Sequence, residues 1–543
     1  MNVLRLDHIT FSHPAGLVLE DLNWAIQTGE KLGLVGPNGA GKSTVLRLLT
    51  GELKADSGFV GQAKGTTIGY LPQEVELDPH LTVFDEAMTA SPQIFGLEAE
   101  LKQIEARLAK PAVYNDELAL TRTLEQQTRV LEQYEASGGL SYENTVKATL
   151  RQLGFEDHDF SLPTPVLSGG QKKMLALAKL VVNRPAVLLL DEPDNYLDLS
   201  GKNHLERFIR SFGGAVIVVS HDRYLLDEIV TGIVELAGGK FDFYPGGNYS
   251  AYIVEKELRQ LRQAQVYTAQ QKEIARLEEA IARFELWARL VVDERHIKQA
   301  RNKRRQIEQM DKVDKPTEQK NMQLRLEGWR GSDKVLQLID LYKAFDEQII
   351  LAGVNFTLWH GQRIGLVGPN GAGKSVLFRC IMGQEPVTDG LVKIGPSVKV
   401  GVYTQEHQNL NYTKTVLQTI RDAKAMYADQ AVAFLGQFLF SYKATTQTVG
   451  SLSGGERSRL QMALLMLQEP NFLLLDEPTN NLDIQSAEAL ETALDAFNGT
   501  LLVISHDRYF LDKTVDQIIE LNPEAGMLTE YLGGYTDYLA AKS

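Results

Sequence analysis

One eight-residue phrase occurs twice in this chain. GPNGAGKS fills Gly36 to Ser43 and again Gly368 to Ser375. Gly39 and Gly41 lack a β-carbon, so a loop built from them can wrap close to an anion and aim successive backbone N–H groups at it. Lys42 and Lys374 then offer a point charge to the outer phosphates of a nucleoside triphosphate, and the Ser43 and Ser375 hydroxyls can ligate Mg2+. Farther along, Val187 to Leu190 lead into Asp191 and Glu192, and Phe472 to Leu475 lead into Asp476 and Glu477. An aspartate in that position can hold Mg2+ through its waters, and a glutamate can orient and partly deprotonate a water attacking the γ-phosphate. His221 and His506 follow the next apolar runs, where they can sense that phosphate. Together these residue types suit attack of water on a bound triphosphate.

The chemistry needs particular elements around it. A strand pattern, Lys31 to Val35, runs into the first glycine loop, and a helical pattern, Ser43 to Thr50, runs out of it, so the positive N-terminal end of that helix faces the anion. The apolar runs ending at Asp191 and Asp476 read as buried parallel strands with acids at their C-terminal edge. Both copies keep one register. Lys374 lies 332 positions after Lys42, and Gln405 lies 332 after Gln73, whereas Ser453, Glu477 and His506 lie 285 after Ser168, Glu192 and His221. The first copy therefore carries 47 extra residues between Gln73 and Ser168.

LSGGQ at Leu167 to Gln171 and LSGGE at Leu452 to Glu456 resemble the signature motif of ATP-binding-cassette ATPases. The resemblance implies an α/β fold, with two P-loop ATP-binding-cassette domains in tandem joined by an α-helical hairpin linker, and ATP with Mg2+ as ligands. It places ATP on Gly36, Pro37, Asn38, Gly39, Ala40, Gly41, Lys42, Ser43 and Thr44, and on Gly368, Pro369, Asn370, Gly371, Ala372, Gly373, Lys374 and Ser375. Ser168, Gly169 and Gly170, like Ser453, Gly454 and Gly455, then bind the γ-phosphate held by the opposite cassette; a Ser-Gly-Gly helix start presents unpaired N–H groups to an anion. Site one joins Lys42 and Glu192 to Ser453, and site two joins Lys374 and Glu477 to Ser168. Gln73 and Gln405 match the family's glutamine loop, which touches Mg2+ and the attacking water. Counting back 23 residues from each glycine loop puts the adenine-stacking position at His13 and Phe345, with Phe11 as the alternative at site one. The first copy reads EPDNYLD where the second reads EPTNNLD, so Asp194 is expected to add an acid near a triphosphate and make the two sites unequal.

At 543 residues the chain has room for several domains, each able to bury a core. Its longest apolar runs fall far below the ~20 residues needed to cross a bilayer. No export signal is apparent, and the single cysteine, Cys380, rules out an intrachain disulfide. A formal charge of −14 argues against general coating of nucleic acid. Between Glu255 and Lys315, however, 15 Lys or Arg face 11 Asp or Glu. Arg295, Lys298, Arg301, Lys303, Arg304 and Arg305 fall within eleven positions free of acids.

That basic stretch has helical periodicity. Val254, Leu258 and Leu261, then Ile274, Leu277, Ile281 and Phe284, predict one long helix; after a break near Leu290 to Asp293, Ile297, Ala300 and Ile307 predict a returning one, ended by Pro316. The 47-residue insertion reads as a second hairpin, with one stripe at Leu97, Leu101, Ile104 and Leu108, another at Leu120, Leu124 and Leu131, Pro111 in the turn and a stop at Gly138 and Gly139. Three parts are expected: a first cassette over 1–252 with a helical arm at about 95–140, a basic linker over 253–330, and a second cassette over 331–543.

Paired cassettes on one chain, the helical linker, SHDRYLLD at Ser220 and SHDRYFLD at Ser505 resemble the ABC-F family. That likeness implies a cytoplasmic monomer acting on the ribosome. Its linker would enter the exit site beside P-site transfer RNA, contacting rRNA and tRNA, and ATP hydrolysis would release it. Alternatives are an antibiotic-resistance ribosome-protection member, against which the short interhelical break leans, the ATPase subunit of a membrane transporter, and a DNA-repair ATPase.

Overall fold

The computed structural model describes residues 2–14, 16–110, 116–290, 294–310, 322–346, 348–404, 410–480, 482–522 and 526–542, apart from the side chains of 117, 140, 288–290 and 294–296. It divides into two compact units, residues 1–246 with 321–543, and residues 247–320. Among the described residues no helix is long and apolar enough to cross a membrane.

The larger unit contains the same two sheets twice. Its first half supplies β1 (Asn2–His13), β2 (Gly16–Gln27), β3 (Lys31–Val35), β4 (Ser57–Gln62), β5 (Ile68–Leu71), β6 (Val187–Asp191), β7 (Ala215–Val219), β8 (Gly232–Ala237) and β9 (Lys240–Pro245). The antiparallel sheet runs β2-β1-β4, and the six-stranded sheet runs β5-β6-β7-β3-β8-β9, parallel except between β8 and β9. The second half repeats this with β10 (Lys334–Phe345), β11 (Gln348–Trp359), β12 (Arg363–Val367), β13 (Asp389–Ile394), β14 (Val400–Tyr403), β15 (Phe472–Asp476), β16 (Thr500–Ile504), β17 (Gln517–Leu521) and β18 (Leu528–Leu532). Its orders are β11-β10-β13 and β14-β15-β16-β12-β17-β18.

This topology positions the chemistry. β6 and β7 are buried at every residue, as expected of parallel strands covered on both faces. Because β6, β7 and β3 are neighbours pointing the same way, their C-terminal ends bring Asp191, the Ser220–His221 turn and the glycine loop side by side. The helix Lys42–Thr50 is anchored behind the loop, with Val45, Leu46, Leu48 and Leu49 packed against Val187, Leu189 and Ile217.

The halves meet across a pseudo-twofold interface, in which residue pairs related by the 285-position offset exchange roles. Arg223 reaches Glu491 of the other half, with one guanidinium nitrogen 3.2 Å from its carboxylate, and stacks 4.0 Å above the Tyr509 ring. Arg508 reaches Glu206 at 2.8 Å and stacks 4.5 Å above Tyr224. All four charged groups are buried. Removing one partner of such a pair costs about 3–5 kcal/mol, because the other charge is left desolvated.

Within the insertion, helices Pro92–Leu108 and Glu117–Ala136 pack together; Pro111 lies outside the described residues. Ile104 is buried, and Leu97, Leu101 and Leu108 are half-buried. The second stripe differs from expectation: Leu124 and Leu131 are exposed, and Val130 and Tyr134 face inward. The Tyr134 ring packs against Gly139, where a β-carbon would leave it no room.

In the smaller unit, helix Tyr249–Leu290 spans 42 residues, about 63 Å, and packs against helix Glu294–Glu308. Leu277, Ile281 and Ala300 are buried, whereas Ile297, expected inside, is exposed. Arg304 pairs with Glu285 at 2.5 Å across the hairpin. Lys298, Arg301 and Arg305 are exposed and Lys303 is half-buried, while the Arg295 side chain, residues 291–293 and Pro316 lie outside the described ones. Trp287 packs edge-on against Phe284, with ring centroids 6.1 Å apart.

Glu491→Ala is expected to destabilise the paired arrangement by about 3–5 kcal/mol. Faster hydrogen exchange across the helix Ile484–Asp495 would report it, with the exposed Lys424–Glu469 pair as a control whose loss leaves that exchange unchanged.

Candidate active site

The two glycine loops share one local geometry. Gly36 adopts φ 152°, with the Leu236 carbonyl oxygen 2.3 Å from where a β-carbon would stand, and Gly41 caps the following helix at φ 102°. Lys42 Nζ donates to the Gly36 and Pro37 carbonyls at 2.8 and 3.1 Å, and Lys374 Nζ to those of Gly368 and Pro369 at 2.7 and 3.0 Å. The fold thus delivers each ammonium to the rim of its own loop. Burial disfavours the charge of both lysines, opposed at Lys42 by Glu192 and Asp483 and at Lys374 by Glu477 and Asp198. A phosphate would supply the missing counter-charge.

Glu192 and Glu477 sit just past the ends of β6 and β15 with φ 49° and 48°. That left-handed backbone is strained for a non-glycine residue and recurs at the same place in both copies. Among the described residues the surroundings of the two acids differ. Glu192 Oε2 accepts from Gln73 Nε2 at 2.8 Å and Asn195 Nδ2 at 2.5 Å, with His221 Nε2 3.8 Å from its other oxygen. Glu477 Oε2 accepts from the His506 backbone N–H at 3.2 Å, with His506 Nε2 3.6 Å from Oε1. Burial, helped by Asp476, pushes the Glu477 carboxyl up to about 8; burial and Asp191 raise Glu192. A carboxylate whose ionised form is disfavoured is a stronger base once deprotonated. Burial drives His221 down to about 3 and His506 well below its ordinary value, so both imidazoles are neutral near pH 7.

Site two is visible as one cavity of about 400 Å³ shared by the halves. Ser168 and Gly169 of the first half face Asn370, Gly371, Gly373, Lys374, Ser375, Asp476, Glu477 and His506 of the second. Ser168 and Ser453 each cap their helix, accepting from the N–H groups of Gln171 and Glu456. Ser453 Oγ also donates to the Glu456 carboxylate at 2.8 Å. Sequence reasoning missed the acids that close EPDNYLD and EPTNNLD. Asp198 Oδ2 accepts from the Asn370 N–H at 3.2 Å, and Asp483 Oδ2 lies 3.4 Å from the Asn38 N–H, so each glycine loop is held by the other half. The signal was present, since Asp198 and Asp483 keep the 285 offset.

Other candidates are placed differently. Phe345 is 41% exposed, lies beneath Lys343 Nζ at 4.4 Å and does not line this cavity, where Ile350 does. His13 ends β1 in an exposed position, and Phe11 packs against the core. Gln405 lies outside the described residues. Asp194, expected near a triphosphate, is buried and lines the site-two cavity; burial and Asp222 raise its carboxyl against the pull of Lys202, and it in turn opposes the burial that lowers Lys173.

The donor set fits Mg2+-ATP. Asp191 takes a hydrogen bond from Ser43, leaving its buried Oδ1 without a partner, and Glu477 Oε1 and both His221 nitrogens are also buried and unsatisfied. Each such group costs about 1–3 kcal/mol unless a ligand or water satisfies it. With ATP bound, Ser43 with Asp191 and Ser375 with Asp476 can hold Mg2+, which would supply charge neutralisation between the phosphates. Glu477→Gln is expected to lower hydrolysis at site two by about 10²- to 10⁴-fold while ATP still binds, a combination read by single-turnover kinetics and nucleotide binding on the same protein.

A family model described as ABC transporter matches residues 19–195 and 351–480, and a second of the same description matches 234–326. The Bacillus subtilis protein YdiF is 36% identical over 100% of this chain and 83% of its own length. Energy-dependent translational throttle protein EttA of Haemophilus influenzae is 34% identical over 97% of this chain and 92% of that protein. ABC transporter F family member 5 of Arabidopsis thaliana is 33% identical over 99% of this chain and 77% of that protein. Among solved structures, archaeal ribosome recycling factor aABCE1, in complex with the ribosomal stalk protein aP1, aligns with a TM-score of 0.61 over 98% of this chain and 92% of that one; at 20% identity the likeness is one of fold. The repeated site and these matches agree: the chain belongs to the ABC-F family and is a tandem-cassette ATPase.

Proposed function

We propose that this ATPase is a ribosome-bound translation factor whose cassettes, paired over two ATP molecules, hold the basic hairpin against RNA, and that hydrolysis releases it. In this reading Lys42, Glu192 and His221 act with Ser453 at site one, Lys374, Glu477 and His506 act with Ser168 at site two, and Gln73 and Gln405 contact Mg2+ and the attacking water. Each glutamate orients water for attack on the γ-phosphate. Residues 253–330 act as the linker between cassettes 1–252 and 331–543, entering the ribosomal exit site beside P-site transfer RNA. The observation that carries the reading is the exposed cationic face of the helix Glu294–Glu308, where Lys298, Arg301 and Arg305 project on a chain whose net charge is −14. Such a face is suited to phosphate backbones, and the translational name of EttA, matched over nearly the full length of both proteins, supports the same partner.

The double variant Glu192→Gln with Glu477→Gln is expected to stay paired on ATP and co-sediment with ribosomes. Replacing Lys298, Arg301 and Arg305 by Glu in that background should release it at lower salt. A double variant that remains in the soluble fraction with ATP at low salt would contradict the ribosome reading.

A further inference from the structure

The two halves differ at a buried pair of positions near the interface. Where the second half has Thr479 and Ala487, the first has Asp194 and Lys202, each 285 positions earlier. Lys202 leaves the helix Leu199–Ser211 and is 7% exposed. Its Nζ donates to Asp222 Oδ2 at 2.7 Å within its own half and to the His506 backbone carbonyl of the other half at 2.9 Å. His506 in turn donates its backbone N–H to Glu477 Oε2 at 3.2 Å. Lys202 also lines the site-two cavity together with Lys374, Glu477 and His506.

A buried ammonium without a counter-charge is unfavourable, and here Asp222 and Asp194 supply the anions. The lysine is thereby fixed between two short bonds, and the backbone it grips carries the donor that orients the Glu477 carboxylate. At site one the corresponding position is Ala487, which has no donor, and Glu192 is oriented instead by Gln73 and Asn195 of its own half. From this asymmetry we infer that Lys202 is a positioning residue acting across the interface on site two alone: it fixes the His506 backbone, and through it Glu477, only when the halves are paired. Hydrolysis at site two is thus tied to cassette pairing by a contact that site one lacks. The inference rests on the reading of Glu477 and Glu192 as the water-orienting bases.

The test isolates each site by disabling the other's glutamate. Lys202→Ala should lower kcat about tenfold with little change in KM when site two works alone, in the Glu192→Gln background, and change it less than about twofold in the Glu477→Gln background. Hydrogen exchange should quicken over Ser505–Asp507 and not over Ser220–Asp222. Because Lys202→Ala strands Asp222 and Asp194 as buried acids, Lys202→Ala with Asp194→Thr, which gives these two positions the residue types of the second half and leaves Asp222 as its counterpart Asp507 stands there, serves as the folded control and should show the same site-two loss. Equal losses in both backgrounds, or no loss in either, would overturn the inference. Should the double glutamine variant hydrolyse ATP at the parent rate, the reading of the bases fails instead.

Discussion

The organising constraint is the exchange of buried charge between the halves. Arg223 with Glu491, and Arg508 with Glu206, are desolvated pairs in which neither member has a solvent alternative, so they hold only in a narrow range of relative positions. Tyr509 and Tyr224 beneath the two guanidinium groups narrow that range further. With the halves so placed, Asp198 and Asp483 reach the opposite glycine loops, and Ser168 comes to face Lys374 across one cavity. The cavity at Lys374 and the contacts that hold both glycine loops are consequences of pairing and do not belong to either half alone.

Onto this twofold plan the sequence places, besides the 47-residue insertion of the first half, differences at a few buried positions. Lys173, Asp194 and Lys202 in the first half stand where Ser458, Thr479 and Ala487 stand in the second. With Asp222, which accepts from Lys202 at 2.7 Å, the two lysines and Asp194 make a group of two cations and two anions, and the donors around the acids are redistributed. Among the described residues, Glu192 receives side-chain amides and Glu477 a backbone N–H. Ser453 is held by a carboxylate, Glu456, and Ser168, which lines the site-two cavity, by an amide, Gln171. Equal motifs therefore surround unequal chemistry.

Much of this was legible in the sequence because it depends on local order. A glycine loop between a strand and a helix, acids at the ends of apolar runs and the fixed offsets specify a parallel sheet whose edge gathers the site. What the sequence hid depends on three-dimensional facing. Along Glu117–Ala136 two apolar stripes compete, Leu124 with Leu131 and Val130 with Tyr134, and it is the second that is buried, with the Tyr134 ring against Gly139. In the sequence Asp194 reads as an acid near a triphosphate; which cavity it lines, and that Lys202 eight positions later opposes it, depend on how the halves face each other.

The central claim is that each ATP site is assembled from both halves. The most direct measurement compares ATP turnover of Lys374→Ala alone with Lys374→Ala plus Ser168→Arg and with Lys374→Ala plus Ser453→Arg. Shared sites predict that Ser168→Arg adds little, since site two is already disabled, and that Ser453→Arg abolishes what remains by disabling site one. The reverse pattern, with Ser168→Arg removing the residual turnover and Ser453→Arg sparing it, would show that each half works with its own signature serine and would contradict the account.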